Sequence, residues 1–322
     1  MKKILFYTHN IFTKENPVGY RIQQYFPYLQ DSGFTVSLMT TKTTFAKVLE
    51  EAARADIVVV QRLLLGPVKL SLLKALAKKI VYDFDDAVMY GSSGESATRQ
   101  KRFGRMIKAS QAVFCGNAFL LEAAKAYRTD GLYYMPTVVN TDEYPVKEPT
   151  GSKPFVVGWI GSSSTLRYLE EVRDVLLFLG DQAGMKCRII ADKPFQADKP
   201  GILFQKWNKD KEKTMLLDFD LGIMPVKDDI WSRGKCGLKL IQYMATGLPS
   251  VAHPIGVAEQ MITDGVNGFL RTDRDGWIDA IEMVRKDESL RKRMGKAARE
   301  TAEEQYSLKV WGPRFVEIVN SL

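Results

Sequence analysis

No apolar run in this chain approaches the roughly 20 residues that span a bilayer. The opening Met1–Tyr7 meets Thr8, His9 and Asn10 too soon to read as a secretory signal. Cysteine is scarce. Cys115, Cys187 and Cys236 are odd in number and far apart, so neither a disulfide framework nor a zinc site is suggested, and a reducing cytoplasm fits best. His9 and His253 are the only histidines and have no cysteine ligands near them, which argues against zinc. The Gly-Lys-Ser/Thr ending of a phosphate loop and the Gly-x-Ser-x-Gly elbow of serine hydrolases are both missing. So is any low-complexity tract or short repeat.

What remains is an ordinary globular composition, 45% hydrophobic and 26% charged, over 322 residues. That length suits two domains of about 150 residues each. A net charge of +8 favours anionic partners: nucleotide diphosphates, acidic lipid headgroups or nucleic acid. The cations are densest on one predicted helix, at Arg99, Lys101, Arg102, Arg105 and Lys108. They read as a solvated face or as a surface for an anionic membrane, Arg99–Lys108 being the membrane candidate. Nucleic acid is not expected, because no recognition motif accompanies the charge.

Short apolar runs alternate with helical patterns along the whole chain, which predicts a doubly wound parallel sheet covered on both faces. The first series runs from the strand Lys3–Thr8 to the strand Leu132–Met135 and includes a helix over about Tyr20–Gln30. Pro136, Pro145, Pro149, Gly151, Ser152 and Pro154 then crowd one stretch, the composition of a linker. A second series starts at Phe155–Ile160, with a helix over Leu166–Leu179, and ends in a helix over about 308–322. The domains are thus 1–150 and 151–322, two Rossmann-like halves of an α/β protein facing across a cleft. Ligands of such sheets bind beyond the carboxyl ends of the strands. That rule selects His9–Gly19, Arg62, Asp83–Asp86 and Asn117 in the first half. In the second it selects Gly161–Thr165, Asp192, Lys227–Lys235 and His253–Glu259.

The stretch Gly234–Pro249 has the grammar of a loop, a short helix and a stop. Leu238, Ile241 and Ala245 recur at core spacing, while Lys235, Lys239 and Gln242 share another face near the helix start. Amide donors and partial positive charge there, beside two lysines, make a seat for a phosphate, with Gln242 one turn along for a hydroxyl. The alternative is an amphipathic helix with solvated lysines. Gly161, Ser162 and Ser163 turn from strand into helix and let backbone amides approach a phosphate, or else cap the helix. In Asp83-Phe84-Asp85-Asp86 three carboxylates crowd a strand end, where Arg62 is the candidate cation. They suit sugar hydroxyls, general-base work or a divalent metal, against plain turn and cap roles. His253 reads as a turn residue, and Trp207 and Trp231 as packing residues with stacking on a ring as the alternative.

With these residues in hand the chain resembles the GT-B-fold glycosyltransferases, in particular the retaining enzymes of family four. The match rests on the turn at Gly161, Gly222–Pro225, Lys239–Pro249, Gly256–Glu259 with Asp264–Leu270, and Arg291–Gly295 leading to Tyr306–Leu308. Tyr20-Arg21, Tyr82–Ala87 and Pro136–Asn140 resemble a bacterial subgroup. The resemblance implies a nucleotide-diphosphate sugar on the downstream domain and an acceptor on the upstream one. Gly161, Ser162 and Ser163, with Asp192, would approach the diphosphate opposite the loop around Gly19. Lys239 and Lys235 would neutralise its charge. Gln242 stands where the family usually has a ribose-binding glutamate, and Gly234 where it has a sugar-binding one. Sugar contacts then pass to Asp228, Asp229 or the Lys235-Cys236-Gly237 backbone. Asp85 and Asp86 would stand beside the reacting carbon, with Lys239 aiding departure. His9, Arg21, Arg62 and Asp83 would meet the acceptor. No metal or other cofactor is implied, and the last helix packs back across the linker. The chemistry expected is sugar transfer to a cell-envelope, lipid-linked or polysaccharide acceptor. A sugar-nucleotide epimerase and a noncatalytic nucleotide-sugar binder are the alternatives.

Overall fold

The computed structural model describes residues 2–9, 18–91, 94–148, 154–197 and 199–322. Most of the loop His9–Gly19, and Pro149, Gly151 and Ser152 of the breaker-rich stretch, lie outside the described residues.

The upstream elements are β1 (Lys2–Thr8), α1 (Val18–Arg21), α2 (Phe26–Asp31), β2 (Phe34–Thr40), α3 (Phe45–Arg54), β3 (Ile57–Gln61), α4 (Pro67–Leu76), β4 (Ile80–Phe84), α5 (Ala97–Ala109), β5 (Ala112–Cys115), α6 (Ala118–Lys125) and β6 (Leu132–Tyr134). Downstream come β7 (Phe155–Ile160), α7 (Arg173–Asp181), β8 (Met185–Ala191), β9 (Ile202–Lys206), α8 (Glu212–Met215), β10 (Leu221–Met224), α9 (Ile230–Arg233), α10 (Leu238–Ala245), β11 (Ser250–Ala252), α11 (Ala258–Met261), β12 (Phe269–Leu270), α12 (Arg274–Lys286), α13 (Glu288–Gln305) and α14 (Leu308–Ser321). No helix among the described residues is long and apolar enough to cross a membrane.

The alternation produces two parallel six-stranded sheets, in the orders β2-β1-β3-β4-β5-β6 and β12-β11-β10-β7-β8-β9. Central strands such as Ile57–Gln61 are buried along their whole length, as strands covered by helices on both faces must be. The chain falls into two compact units. One comprises residues 1–138, Arg233–Cys236 and Leu308–Leu322; the other comprises Val139–Ser232 and Gly237–Ser307. The change of unit thus falls at Val138, upstream of position 150, and two later segments return to the first unit.

In the upstream unit α14 completes the core. Trp311, Phe315 and Val319 join Phe6, Tyr25 and Phe114, and Phe315 stacks on Tyr25 with centroids 4.4 Å apart. The helix α5 separates its faces cleanly. Phe103, Met106 and Ile107 are buried, while Lys101, Arg105 and Lys108 emerge at i, i+4 and i+7. In the downstream unit, Trp159 and Trp277 anchor the core. Gly158 in β7 lies under the Phe219 ring, where a Cβ would fall 2.0 Å from a ring carbon.

Two helices expected as single pieces are divided. The stretch Tyr20–Gln30 is α1, a 3-10 turn at Gln23–Tyr25 and then α2, because Pro27 lacks a backbone donor and is best placed in the first turn of a new helix. Residues Ser163–Val172 form 3-10 turns before α7 begins. Leu169 and Val172 are buried and Leu166 packs against the same core. Three-residue spacing aligns these side chains in a 3-10 helix, whereas an α-helix would spread them.

Candidate active site

Each sheet reverses its winding at one point: between β1 and β3 upstream, and between β7 and β10 downstream. Strand ends beside such a reversal leave a crevice, because the flanking helices run to opposite faces. The candidate side chains gather at these two points.

Downstream, β7 ends in Gly161, whose amide donates to Ile190 O at 3.0 Å. A Cβ on Gly161 would lie 2.5 Å from the Trp159 ring and 2.8 Å from Lys239 Cε. Lys239 Nζ lies 5.1 Å from the centre of Trp159. The glycine turn and the lysine therefore meet, 78 positions apart in the sequence numbering. Tyr243 fixes α10 in that place: its hydroxyl accepts from Ile160 N at 3.1 Å and donates to Ile223 O at 3.2 Å, joining the helix to β7 and β10. Gly237 caps α10 at φ +67°, a conformation suited to glycine, and a Cβ there would fall 2.8 Å from Val257. Ser162 Oγ and Ser164 Oγ are 2.7 Å apart. Ser163 gives its backbone N–H to Asp192, so both are engaged within the turn.

Gln242 does not share an open face with Lys239. It is 2% exposed, and its amide nitrogen donates to Glu212 Oε1 at 2.6 Å and to the Tyr144 hydroxyl at 3.4 Å. All residues from Leu240 to Ala245 are buried while Leu238 is only partly so, so the periodicity picked out Ile241 and Ala245 but neither the start nor the width of the core face. Gln242→Glu would set a second carboxylate against Glu212 and raise the pKa of the pair. The expected result is a loss of about 1–3 kcal/mol at neutral pH, reversed when Glu212→Gln is added. Thermal unfolding of the single and double variants checks this.

Upstream, β3 and β4 end in Gln61-Arg62 and Asp83–Asp86. Arg62 has φ +59°, uncommon for a side chain of its size, and its amide donates to Asp83 O at 2.8 Å. Its guanidinium donates to Asp85 and lies 3.9 Å from Asp86 Oδ2. Gln61 Nε2 donates to Asp85 Oδ1 at 3.2 Å. Arg21 and Asp83 are 3% and 4% exposed and are spent on each other, with the closest approach 2.6 Å. Arg21 also donates to Met135 O. They form a buried strut.

The segment Arg233–Cys236 docks beside these carboxylates. Asn117 Nδ2 donates to Arg233 O at 3.1 Å and to Lys235 O at 2.9 Å, while its Oδ1 caps α6 at Leu120 N. Cys236 Sγ donates to Asp85 O at 3.3 Å and lies over Gly116, where a Cβ would fall 2.5 Å from the sulfur. Lys235 and Cys236 thus belong with Asp85 and Asp86 in the upstream unit, as does Gly234, packed on Ala87.

Burial pushes all three carboxyls up, and the nearby cations decide the outcome. For Asp85, Arg62 and Arg21 outweigh burial and hold the carboxyl below the usual aspartate range. For Asp83 burial prevails over Arg21, and for Asp86 over Arg62 and Lys235, so both are raised. The Cys236 thiol is pushed up by burial and then by Asp85. Asp85 therefore stabilises the fold above the ordinary aspartate value, near pH 4. That contribution fades as pH falls through its own lower value. The stability difference between the wild type and Asp85→Asn is expected to be largest near neutrality and to shrink on acidification. Urea unfolding across pH measures it, and a constant difference would show that Arg62 does not sense this charge.

A cavity of about 590 Å³ opens at the β1–β3 reversal, lined by Tyr7, His9, Arg62, the Leu63–Val68 stretch, Lys69, Arg99 and Arg102 among others. His9 is held below the ordinary histidine value by desolvation and then by Arg62 and Arg99. His9 and Arg62 of the four expected acceptor contacts reach this cavity; Arg21 and Asp83 do not line it. His253 serves a turn, with Nδ1 3.1 Å from Val226 N and the ring against Trp277. Glu212 went unnoticed in the sequence, since nothing local marks it as the partner of Gln242. Asn117 was visible at a strand end, but its hold on Arg233–Cys236 was not. No group of three metal-ligating side chains stands together among the described residues.

Residues 188–301 match the family model of the glycosyl transferases group 1. Among solved structures, the chain is similar to HepE of Anabaena, solved with UDP and glucose (16% identity, TM-score 0.78, 100% of each chain covered). Similar too is sucrose-phosphate synthase of Thermosynechococcus elongatus (11% identity, TM-score 0.77, covering 100% of this chain and 99% of that one). The lipopolysaccharide outer core galactosyltransferase WaaB follows the same fold (12% identity, TM-score 0.69, 99% of each chain covered). No curated protein matches by sequence. Residues 188–301 are thus similar in sequence to the glycosyl transferases group 1, and the fold of the whole chain is the GT-B fold that these solved structures share.

Proposed function

We propose that the protein transfers a sugar from a nucleoside-diphosphate sugar to a cell-envelope, lipid-linked or polysaccharide acceptor, with retention at the anomeric carbon. The observation that carries the donor half is Lys239 beside the Gly161 turn at the downstream reversal point. The diphosphate lies against Gly161, Ser162 and the start of α10. Lys239 and the helix amides take up the negative charge that develops as the nucleoside diphosphate departs, without a metal. HepE was solved with UDP and glucose, which makes a UDP-sugar the first donor to try.

The acceptor enters the upstream cavity beside His9 and Arg62. Asp86 stands outside this lining, 3.9 Å from the Arg62 guanidinium; it is the more exposed carboxyl of its pair, and with its raised pKa it suits a proton from an acceptor hydroxyl that reaches past Arg62. Asp85 holds Arg62. The outer face of α5, with Lys101, Arg105 and Lys108, meets an anionic membrane surface. Incubation with UDP-, GDP- and dTDP-sugars, with and without acceptor, tests the reading. Transfer requires the acceptor, whereas epimerisation proceeds without it and a mere binder shows only a raised Tm. If no donor is consumed and none raises Tm, the reading fails.

A further inference from the structure

The upstream cavity is cationic and also greasy, and one side of it continues into an uncovered apolar helix face. Lys69, Arg99 and Arg102 join Arg62 in its lining, and no carboxylate is present among the described lining residues. Leu63, Leu64 and Leu65 supply the apolar wall. Val68 also lines it and begins a stripe along α4. Val68, Leu72 and Leu76, at i, i+4 and i+8, are 71%, 44% and 44% exposed, although Leu70 and Leu73 of the same helix are buried. They are three of the seven large apolar residues exposed among the described ones, gathered on one ten-residue helix. α4 packs beside α5, which carries Arg102 into the cavity and sets Lys101, Arg105 and Lys108 on its outer face. A soluble sugar phosphate would account for the cations but would leave the stripe in water.

We infer that this cavity seats the phosphate headgroup of an anionic membrane lipid, with Val68, Leu72 and Leu76 laid against the acyl layer beside it. Guanidinium groups suit phosphate oxygens, and an apolar helix face flanked by cations is the composition of an interfacial helix. The inference rests on the reading above that the upstream cavity receives the acceptor, and it assigns that acceptor to the phosphate-bearing lipids.

The test is sedimentation of the full chain with phosphatidylcholine vesicles with and without phosphatidylglycerol. Binding is expected only with phosphatidylglycerol. The Lys69→Glu/Arg102→Glu double variant should bind these vesicles at least about tenfold more weakly. Leu72→Ser/Leu76→Ser should lose the part of binding that survives high salt. Equal binding to both vesicle types, or charge-reversed protein that binds as before, would overturn the inference. So would inorganic phosphate that occupies the site and protects it from heat while the stripe variant still binds vesicles normally, since that marks a soluble-phosphate site. The rise in Tm caused by UDP reads the downstream unit alone. Lost UDP response with retained vesicle binding indicts the donor reading, and the reverse pattern indicts the lipid.

Discussion

Lys239→Ala is expected to lower turnover of the nucleotide-sugar donor by roughly 2–3 orders of magnitude, about 3–4 kcal/mol of transition-state stabilisation. The lysine stem lies against Gly161 and its ammonium near the Trp159 face, so its position is set by packing before any ligand arrives. A cation already in place adds most where charge appears during bond breaking, so the loss should fall mainly on kcat. The variant should fold normally, because the residue it replaces is only half-buried. Steady-state kinetics with the best donor settles the matter. Near-normal turnover would remove Lys239 from the chemistry.

Arg21→Met should have the largest effect on stability. It leaves Asp83 buried without its cation, and breaking such a pair costs about 3–5 kcal/mol, a large share of the 5–15 kcal/mol typical of a folded domain. Burial already raises the Asp83 carboxyl against the pull of Arg21. Without the arginine it rises further and takes up a proton on modest acidification, so the deficit should shrink as pH falls toward the acid range. Asp83→Leu added to Arg21→Met should recover much of the loss, since an apolar pair leaves no uncompensated charge. Urea unfolding of the wild type and both variants at neutral and acidic pH decides it. An equal deficit at both would point to lost packing by the arginine stem.

Both sheets were legible in the sequence because each strand is a short apolar run between polar ends, a pattern that local chemistry writes directly. The faces of α5 were legible for the same reason. Pairings were not. Arg21 and Asp83 stand 62 positions apart, and Gln242 and Glu212 stand 30 apart. Nothing in either residue's neighbourhood names its partner; the strand order brings the first pair together and the packing of α8 the second. Spacing placed Lys239 and Gln242 on one open helical face, whereas Lys239 is half-buried against Gly161 and Trp159. The placement failed for the glutamine because α10 is buried around most of its girth. Lys235 and Cys236 read as the lead-in to α10, yet hydrogen bonds from Asn117 and to Asp85 assign them to the upstream unit. A boundary read from prolines and glycines follows one contiguous break, and cannot register a four-residue return.

The helix Leu308–Ser321 carries a consequence for biogenesis. The upstream sheet emerges from the ribosome first, but the aromatic surface of Tyr25 and Phe114 is sealed only by Phe315 and its neighbours. A nascent chain must therefore hold that surface exposed while the entire second sheet is being synthesised, the interval in which chaperone capture or aggregation competes with folding.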